Sequence, residues 1–189
     1  HVGKIVLTPP PVPKAVAKIK PLCRPDAAWL VTGGTSGLGL AFAARLAERG
    51  AGQIWLVSRS GHLDEAAAAV VAGMHARGAD VRVARCDVTD ADALAALFSE
   101  IETQGHRLTG VAHAAALFDD AAAQTVDGAR LAQSAGPKVT GAALLDRLTE
   151  ALSLDHFVMF SSVAVTVGNP GQFAYTAANA AVEALVRRR

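Results

Sequence analysis

The sequence lacks the features that mark disulfide-rich secreted domains and membrane proteins. Its 189 residues include only two cysteines, Cys23 and Cys86. A framework of several disulfides is therefore excluded, and the cysteine usage fits a reducing compartment. No uncharged apolar run reaches the ~18 residues that a membrane-spanning helix needs. The first residues do not resemble a signal peptide, because the apolar run after Lys4 is short. We therefore expect a cytoplasmic protein with no membrane span.

A strong excess of one charge is also absent. The chain has 18 Lys and Arg residues against 17 Asp and Glu residues, which gives a net charge of +1. This balance provides no electrostatic reason to expect nucleic acid as a partner. Aromatic residues amount to only 5%, and Tyr175 is the only tyrosine. Hydrophobic residues, in contrast, make up 51% of the sequence, and at this length they suffice for one α/β domain with a core.

From Asp26 onward, apolar strand patterns alternate with helical patterns. The predicted strands are Trp29–Thr32, Gln53–Ser58, Val81–Val88, Leu108–Ala114 and His156–Ser161. The predicted helices are Leu40–Arg49, Asp64–Arg77, one capped by Thr89 and running to Glu102, one that follows Gly136-Pro137 and runs to Leu152, and one from Gln172 onward. This alternation predicts an α/β fold, a doubly wound parallel sheet with helices on both faces.

Residues 1–25 do not follow this alternation. Val2–Leu7 reads as a short strand, and four prolines between positions 9 and 13 then exclude a helix interior or a central strand. Two interpretations stay open: the end of a preceding domain (1–8) followed by a proline-rich linker (9–25), or a disordered terminus. At the other end, Arg187–Arg189 continue a helical pattern with no stop signal, so we expect a piece of a longer chain.

A glycine-rich turn joins the first predicted strand to the first predicted helix. Thr32–Gly39 has the spacing TGxxxGxG. In a strand–turn–helix unit, such a turn brings backbone N–H groups and a helix N-terminus to a phosphate. The alternative is a tight turn without a ligand. The candidate cofactor-binding residues here are Gly33, Thr35, Ser36, Gly37, Leu38 and Gly39.

The end of the second strand indicates which dinucleotide binds. Sites that prefer NAD usually place an acidic residue about 20 residues after the glycines, where it accepts a hydrogen bond from the ribose 2′-hydroxyl. Here the residues are Ser58, Arg59 and Ser60, a guanidinium between two hydroxyls. This group suits a 2′-phosphate and therefore favours NADPH over NADH. The alternative is a solvated loop arginine.

Two further strand ends are candidates for the cofactor site. Asp87 can accept a hydrogen bond from an adenine amino group while Val88 packs on the ring, although Asp87 can equally cap the following helix. Ala114 and Ala115 are small enough to let a cofactor pass close to the backbone. We assign no chemistry to His113, because a single histidine is more often a buried structural residue.

Four residues form a candidate catalytic group for carbonyl reduction: Ser162, Tyr175, Asn179 and Lys138. Hydride addition to a carbonyl needs a proton donor, and a phenol, with a pKa near ~10, becomes a better acid beside an ammonium group. A serine hydroxyl can hold the carbonyl oxygen. Asn179 lies one helical turn after Tyr175 and can anchor the lysine or a water. Each residue alone also has an ordinary structural explanation, but together with the glycine turn they favour catalysis.

Residues Ala27–Arg189 resemble the short-chain dehydrogenase/reductase superfamily and, within it, the β-ketoacyl reductase (ketoreductase) domains of type I polyketide synthases. The resemblance rests on the TGxxxGxG turn and on Phe160-Ser161-Ser162 followed by the segment from Gly168 to Asn179, which matches FSS…GxPGQxxYxxxN. Free-standing reductases of this superfamily carry Tyr-x-x-x-Lys. Here Asn179 takes that lysine position and the lysine lies upstream as Lys138, as in the synthase ketoreductases.

The resemblance implies a Rossmann-type fold, NADPH as cofactor and a role for each candidate residue. Tyr175 is expected to be the general acid and Ser162 the donor to the carbonyl oxygen. Lys138 is expected to contact the ribose and to make the phenol a stronger acid, and Asn179 to support Lys138. Residues 118–120, a Phe-Asp-Asp sequence, occupy the loop where B-type ketoreductases carry Leu-Asp-Asp, and Val167 stands where A-type domains carry tryptophan. Phe118, Asp119 and Asp120 therefore imply a D-hydroxy product.

The resemblance also implies a substrate and partners. The expected reaction is reduction of a β-ketoacyl thioester, bound to an acyl carrier protein, to the β-hydroxyacyl thioester. Residues 1–8 resemble the end of an enoyl reductase domain, and 26–189 resemble a ketoreductase domain truncated at its C-terminus. Expected partners are the carrier protein and the adjacent enoyl reductase and dehydratase domains of a homodimeric synthase. The alternatives are a non-catalytic reductase-like structural domain and a free-standing short-chain reductase.

Overall fold

A computed structural model describes residues 23–189. The predicted strand Val2–Leu7 and nearly all of the predicted linker lie outside the described residues. The strands are β1 (Ala27–Thr32), β2 (Gln53–Ser58), β3 (Asp80–Arg85), β4 (Arg107–His113) and β5 (His156–Met159). The helices are α1 (Gly37–Glu48), α2 (Glu65–Ala76), α3 (Ala91–Thr103), α4 (Gly128–Ala135), α5 (Gly141–Leu148), α6 (Ala164–Val167) and α7 (Phe173–Arg188).

These strands form a sheet in the order β3-β2-β1-β4-β5, and each neighbouring pair runs parallel. The chain moves outward from β1 to β3 and then crosses back to β4, so the direction of winding reverses between β1 and β4. There Thr32 pairs with His113. Ligands of such sheets bind outside the carboxyl ends of the strands at this reversal. The predicted doubly wound parallel sheet is confirmed.

Separate cores on its two faces show that helices cover both sides of the sheet. On one face, α1 and α2 bury Leu46 and Met74 against the sheet. On the other face, α3 and α5 bury Leu94 and Leu145. Strand β1 is buried along its whole length, as expected for the central strand of a sheet covered on both sides. Within the described residues, no helix is long and apolar enough to cross a membrane.

Helix α3 is capped by Asp90 and not by Thr89 as predicted. The Asp90 carboxylate accepts hydrogen bonds from the backbone N–H groups of Asp92 and Ala93. Thr89 instead donates its own N–H and hydroxyl to the carboxylate of Asp87, at 2.9 and 2.8 Å. An aspartate makes a strong N-cap, and here the threonine is already engaged by the preceding acid.

The helix before β5 begins earlier than predicted. Gly136-Pro137 does not start it, because α4 already begins at Gly128, where the Asp127 side chain accepts from the N–H of Arg130 at 2.8 Å. Gly136–Thr140 forms a π-helical segment that connects α4 to α5. Pro137 has no N–H to donate, so it interrupts the regular bonding without ending the helix.

Gly110 of β4 lies directly under the indole ring of Trp29. A Cβ atom at position 110 would lie 2.3 Å from this ring. The ring is fully buried and packs between Phe42 and His156, so it has no room to move. We expect Gly110→Ala to lower the free energy of unfolding by about 3 kcal/mol in urea titrations.

Gly128→Ala is the matched control, because a Cβ atom there meets no other described residue within 4 Å. It should leave the stability unchanged or raise it by up to ~1 kcal/mol, since alanine favours a helix. Equal stability of the two variants would contradict the packing described for Trp29.

Candidate active site

A cleft of about 490 Å³ lies at the carboxyl ends of the strands, beside the reversal between β1 and β4. It extends from the end of β2 to the start of α7. The candidate site residues that line it are Gly33, Thr35, Ser36, Gly37, Leu38, Gly39, Ser58, Arg59, Ser60, Asp87, Val88, Ala114, Ala115, Phe118, Lys138 and Tyr175. Four other candidates, Ser162, Asn179, Asp119 and Asp120, do not line it in the part of the chain that the structure describes.

The glycine turn folds back so closely that a side chain at Gly33 or Gly39 would clash with the backbone. Gly33 adopts φ +64°, a conformation that residues with a side chain rarely take. A Cβ atom on Gly39 would lie 2.1 Å from the carbonyl oxygen of Gly33. Within residues 23–189, the side chain of Ser36, the N-cap of α1, makes no capping bond. The first N–H groups of α1 therefore lack this internal acceptor at the cleft, an arrangement that suits a phosphate.

The end of β2 presents hydroxyl groups and a guanidinium to the same cleft. Ser58 Oγ accepts from the N–H of Gly61 at 3.1 Å, and Ser60 Oγ accepts from the N–H of His62 at 3.2 Å. Since each oxygen already accepts a hydrogen bond, each hydroxyl proton can be donated outward. Arg59 lies exposed between them at the edge of the cleft.

Asp87 is held by its neighbour Thr89. The two hydrogen bonds from Thr89 are the main reason why the pKa of the Asp87 carboxyl is lower than usual, and the charge of Arg59 lowers it further. These bonds fit the structural alternative, because Asp87 holds the backbone and side chain of Thr89 just before the next helix begins. Asp87 still lines the cleft, so contact with a cofactor remains a prediction.

Lys138 lies in the π-helical segment and lines the cleft. Only 4% of the residue is exposed. Its Nζ donates a hydrogen bond to the carbonyl oxygen of Phe160, just after β5, at 2.6 Å. Burial lowers the pKa of the Lys138 amine. The ammonium is therefore fixed beside the end of β5, with the start of α7 lining the same cleft.

Asn179 makes no direct hydrogen bond to Lys138 within the described residues, and its support of Lys138 stays a prediction. Its Nδ2 donates to the backbone carbonyl of Tyr175 at 2.8 Å. Its Oδ1 is buried and has no hydrogen-bond partner among the described residues, so it accepts nothing from Lys138. The lysine instead uses the carbonyl of Phe160. Asn179 holds the first turns of α7, on which Tyr175 lies.

Ser162 lies in the turn between β5 and α6. Its Oγ accepts a hydrogen bond from the N–H of Ala164 at 3.2 Å and so helps to start α6. The preceding residue, Ser161, lines the cleft and donates to Glu183 at 2.6 Å. Tyr175 is half-buried on α7, in the cleft wall.

In the loop of residues 118–120, the ring of Phe118 contacts Tyr175, the candidate catalytic tyrosine. Phe118 is 68% exposed, and its ring centroid lies 5.2 Å from that of Tyr175. Nε and Nη2 of Arg130 each donate to one carboxylate oxygen of Asp119 at 2.6 Å, which lowers the pKa of that carboxyl. Asp120 accepts from the amide of Gln172 at 3.2 Å. Both aspartates therefore anchor the loop to the rest of the domain.

The place of His113 in this site was not predicted from the sequence. The ring is 1% exposed and lies between Thr32 and the backbone of Lys138. Burial lowers the pKa of His113 to about 4, so the ring is neutral at neutral pH. One sequence feature could have indicated this place: His113 lies at the end of a predicted strand that faces the glycine turn. His113 lies behind the cleft and does not line it; the lining residues that were not predicted are Val57, Cys86, Ala116, Pro137, Phe160 and Ser161.

This geometry coincides with a family match over the same residues. The model of the family described as "KR domain" matches residues 27–189, which include the sheet and the whole cleft. The chain belongs to the KR domain family. The resemblance to polyketide synthase ketoreductases is thereby confirmed for this region, whereas nothing tests the likeness of residues 1–8 to an enoyl reductase.

The curated relatives of this KR domain are much larger polyketide synthases. The chain is 38% identical over 201 residues to one component of the phenolphthiocerol/phthiocerol polyketide synthase of Mycobacterium tuberculosis. It is 40% identical over 192 residues to the pikromycin polyketide synthase component PikAII of Streptomyces venezuelae. Both alignments cover the whole chain, which spans only 9% and 5% of these relatives.

Solved ketoreductase structures share the fold of the KR domain. One structure of A-type ketoreductases from a modular polyketide synthase superposes with a TM-score of 0.85 at 40% identity, over 96% of this chain and 38% of that one. The first ketoreductase of the tylosin synthase gives a TM-score of 0.78 at 42% identity, over 86% of this chain and 35% of the other. The KR domain is thus an oxidoreductase fold of the short-chain dehydrogenase/reductase type, a class that uses nicotinamide cofactors.

Proposed function

We propose that this KR domain reduces a β-ketoacyl thioester to the β-hydroxyacyl thioester with NADPH as the reductant. One observation carries the proposal: a single cleft joins the glycine turn, Arg59, Lys138 and Tyr175. A bound dinucleotide is long enough to reach from the glycine turn to the candidate catalytic residues along one cleft. A structural domain needs no continuous cleft between these residues. The continuity of the cleft therefore favours catalysis over the scaffold alternative.

The residues of the cleft fit NADPH. The tight turn from Gly33 to Gly39 lines the cleft, and the side chain of Ser36 does not cap the first N–H groups of α1, so these groups could bind a pyrophosphate. Arg59, Ser58 and Ser60 would hold the 2′-phosphate. Lys138 would contact the nicotinamide ribose. When bound, the cofactor supplies the hydride that is added to the ketone carbon.

Tyr175 would donate the proton that the ketone oxygen needs during reduction. The phenol lies in the same cleft wall as the buried ammonium of Lys138, and a nearby cation makes a phenol a stronger acid. Ser162 would donate a hydrogen bond to the carbonyl oxygen after its hydroxyl turns toward the substrate, since its oxygen already accepts from Ala164. The proton leaves the phenol oxygen and forms the hydroxyl of the product.

The anchored loop 118–120 supports a B-type assignment. The ring of Phe118 packs against that of Tyr175, and Asp119 and Asp120 fix the loop through Arg130 and Gln172. Val167 stands, by the sequence pattern, where A-type domains carry a large ring. We therefore propose the D-hydroxy product, although two of the similar solved structures are A-type ketoreductases.

The proposed partners follow from the relatives, which are multidomain polyketide synthases. We propose that an acyl carrier protein presents the substrate, that enoyl reductase and dehydratase domains are neighbours in a homodimeric synthase, and that residues 1–8 end a preceding domain while 9–25 form the linker to the KR domain.

The test is NADPH oxidation by the protein with a synthetic β-ketoacyl thioester, followed by chiral chromatography of the product. We expect steady NADPH consumption and a D-β-hydroxyacyl thioester. An L product would overturn the B-type assignment while leaving the reduction intact. NADPH binding without consumption would support the scaffold alternative, and equal rates with simple ketones that lack a thioester would support a free-standing reductase.

A further inference from the structure

The buried ring of His113 connects strand β1 to the backbone of Lys138. Its Nδ1 lies 2.6 Å from Thr32 Oγ1, and its Nε2 lies 3.0 Å from the carbonyl oxygen of Lys138. A carbonyl only accepts hydrogen bonds, so Nε2 carries the proton and Nδ1 accepts from the threonine. We infer that His113 is a positioning residue for Lys138: it holds the lysine's backbone so that the ammonium reaches the cleft. This inference rests on the proposed function.

The π-helical segment gives His113 a carbonyl to bind. Pro137 cannot donate an N–H, so the bonding of the helix is shifted in the turn around Lys138. Such π-helical turns recur at functional sites because they redirect a side chain. Lys138 is then held at two points, its carbonyl by β4 through His113 and its ammonium by Phe160 after β5. Without the hydrogen bond from His113, only the hydrogen bond to Phe160 would fix the long, flexible side chain of Lys138.

Gly141 makes room for this ring. A Cβ atom at position 141 would lie 3.0 Å from Cε1 of His113 and 2.9 Å from Cγ2 of Val88. The first residue of α5 therefore packs its bare backbone against the imidazole. A side chain at position 141 would therefore press on the ring that binds Thr32 and the carbonyl of Lys138.

The ring keeps its donor and acceptor roles over the working pH range. Burial lowers the pKa of His113 to about 4, and the nearby charge of Lys138 acts in the same direction. The neutral form with its proton on Nε2 therefore persists at neutral pH. The link is a fixed hydrogen bond and not a pH-sensitive switch.

Two substitutions at position 113 separate the two hydrogen bonds. The amide of asparagine can take the place of Nδ1 and keep Thr32, but it is too short to reach the carbonyl of Lys138. Glutamine reaches that carbonyl. We expect His113→Asn to lower kcat by about 10- to 100-fold, because a displacement of about 1 Å at a catalytic group has effects of this size. His113→Gln should restore most of the loss.

Thr32→Val is the matched structural control. It removes the other hydrogen bond of the same buried ring and leaves the bond to Lys138 in place. Thr32→Val and His113→Asn should lower the melting temperature by similar amounts. Only His113→Asn should move the alkaline limb of the kcat–pH profile to higher pH, since a phenol loses its proton less readily once the ammonium is displaced.

Hydrogen exchange measured by mass spectrometry tests the inference without relying on catalytic turnover. His113→Asn should speed exchange in Gly136–Thr140 more than Thr32→Val does. An unchanged pH profile together with unchanged exchange in His113→Asn would overturn the inference and leave His113 a core residue. A wild-type protein without turnover would defeat the proposed function, and the exchange comparison would still decide whether His113 positions Lys138.

Discussion

Replacing Tyr175 with phenylalanine is expected to lower kcat for the β-ketoacyl thioester by about 10² to 10⁴-fold, the range for loss of a general acid. The ring and its contact with Phe118 remain, because only the phenol oxygen is removed. Tyr175 is also the only tyrosine of the chain, so no other phenol can replace it. The measurement is steady-state NADPH consumption at saturating substrate.

The control for this variant is its cofactor affinity. The residues proposed to hold NADPH are those of the glycine turn, the end of β2 and Lys138, so the Kd of NADPH should change by less than about threefold in Tyr175→Phe, which is under 1 kcal/mol. Fluorescence titration measures it. Unchanged turnover in this variant would remove the phenol from the mechanism. A parallel loss of NADPH binding would instead show that the residue shapes the cleft and does not act as the acid.

The second large effect is expected at Arg59. Arg59→Ala should weaken NADPH binding by about 10- to 100-fold and leave NADH binding unchanged, because a hydrogen bond to a charged group contributes about 1.5–3 kcal/mol. Arg59 is exposed at the edge of the cleft, so its removal should not affect folding. Titration of both cofactors against both proteins measures the ratio.

Arg85→Ala is the matched control for Arg59→Ala. Arg85 is an exposed arginine at the end of β3, beside Gly61 and outside the cleft lining. Its removal changes the net charge by the same amount, and NADPH affinity should fall by less than about threefold. Equal weakening of NADPH and NADH by Arg59→Ala, or equal effects of the two arginine variants, would contradict recognition of the 2′-phosphate.

The sheet could be predicted because its strands are short apolar runs at regular intervals. Gln53–Ser58 was predicted residue for residue, and β1, β3, β4 and β5 lie within three residues of their predicted ends. Burial on both faces makes such strands stand out from their amphipathic neighbours. The position of the glycine turn followed directly, since it lies between the first strand and the first helix.

The region between β4 and β5 could not be predicted in the same way. Proline at position 137 reads as a helix start, yet it lies inside a π-helical segment that continues from α4. Whether a proline begins a helix or widens one depends on packing that sequence spacing does not contain. Here that packing includes the contact of Gly141 with His113.

Local hydrogen bonding in the candidate site was equally hidden from the sequence. Asn179 lies one turn after Tyr175, and the family resemblance implied that it supports Lys138. Instead its amide binds the backbone of its own helix and the lysine binds the carbonyl of Phe160. Backbone carbonyls carry no sequence signal, so the partner of Lys138 could not be found without the fold. The residue types at the site were predictable, whereas their partners were not.

Isotope transfer from the cofactor tests the central claim most directly. The protein is incubated with a β-ketoacyl thioester and NADPH that carries deuterium at C4 of the nicotinamide, once for each of the two faces, and the product is examined by mass spectrometry and NMR. For one of the two labelled cofactors, we predict one deuterium at the carbinol carbon of every β-hydroxyacyl product, and none in Tyr175→Phe beyond its residual turnover. A protein that binds NADPH but yields no deuterated product from either cofactor would contradict the account.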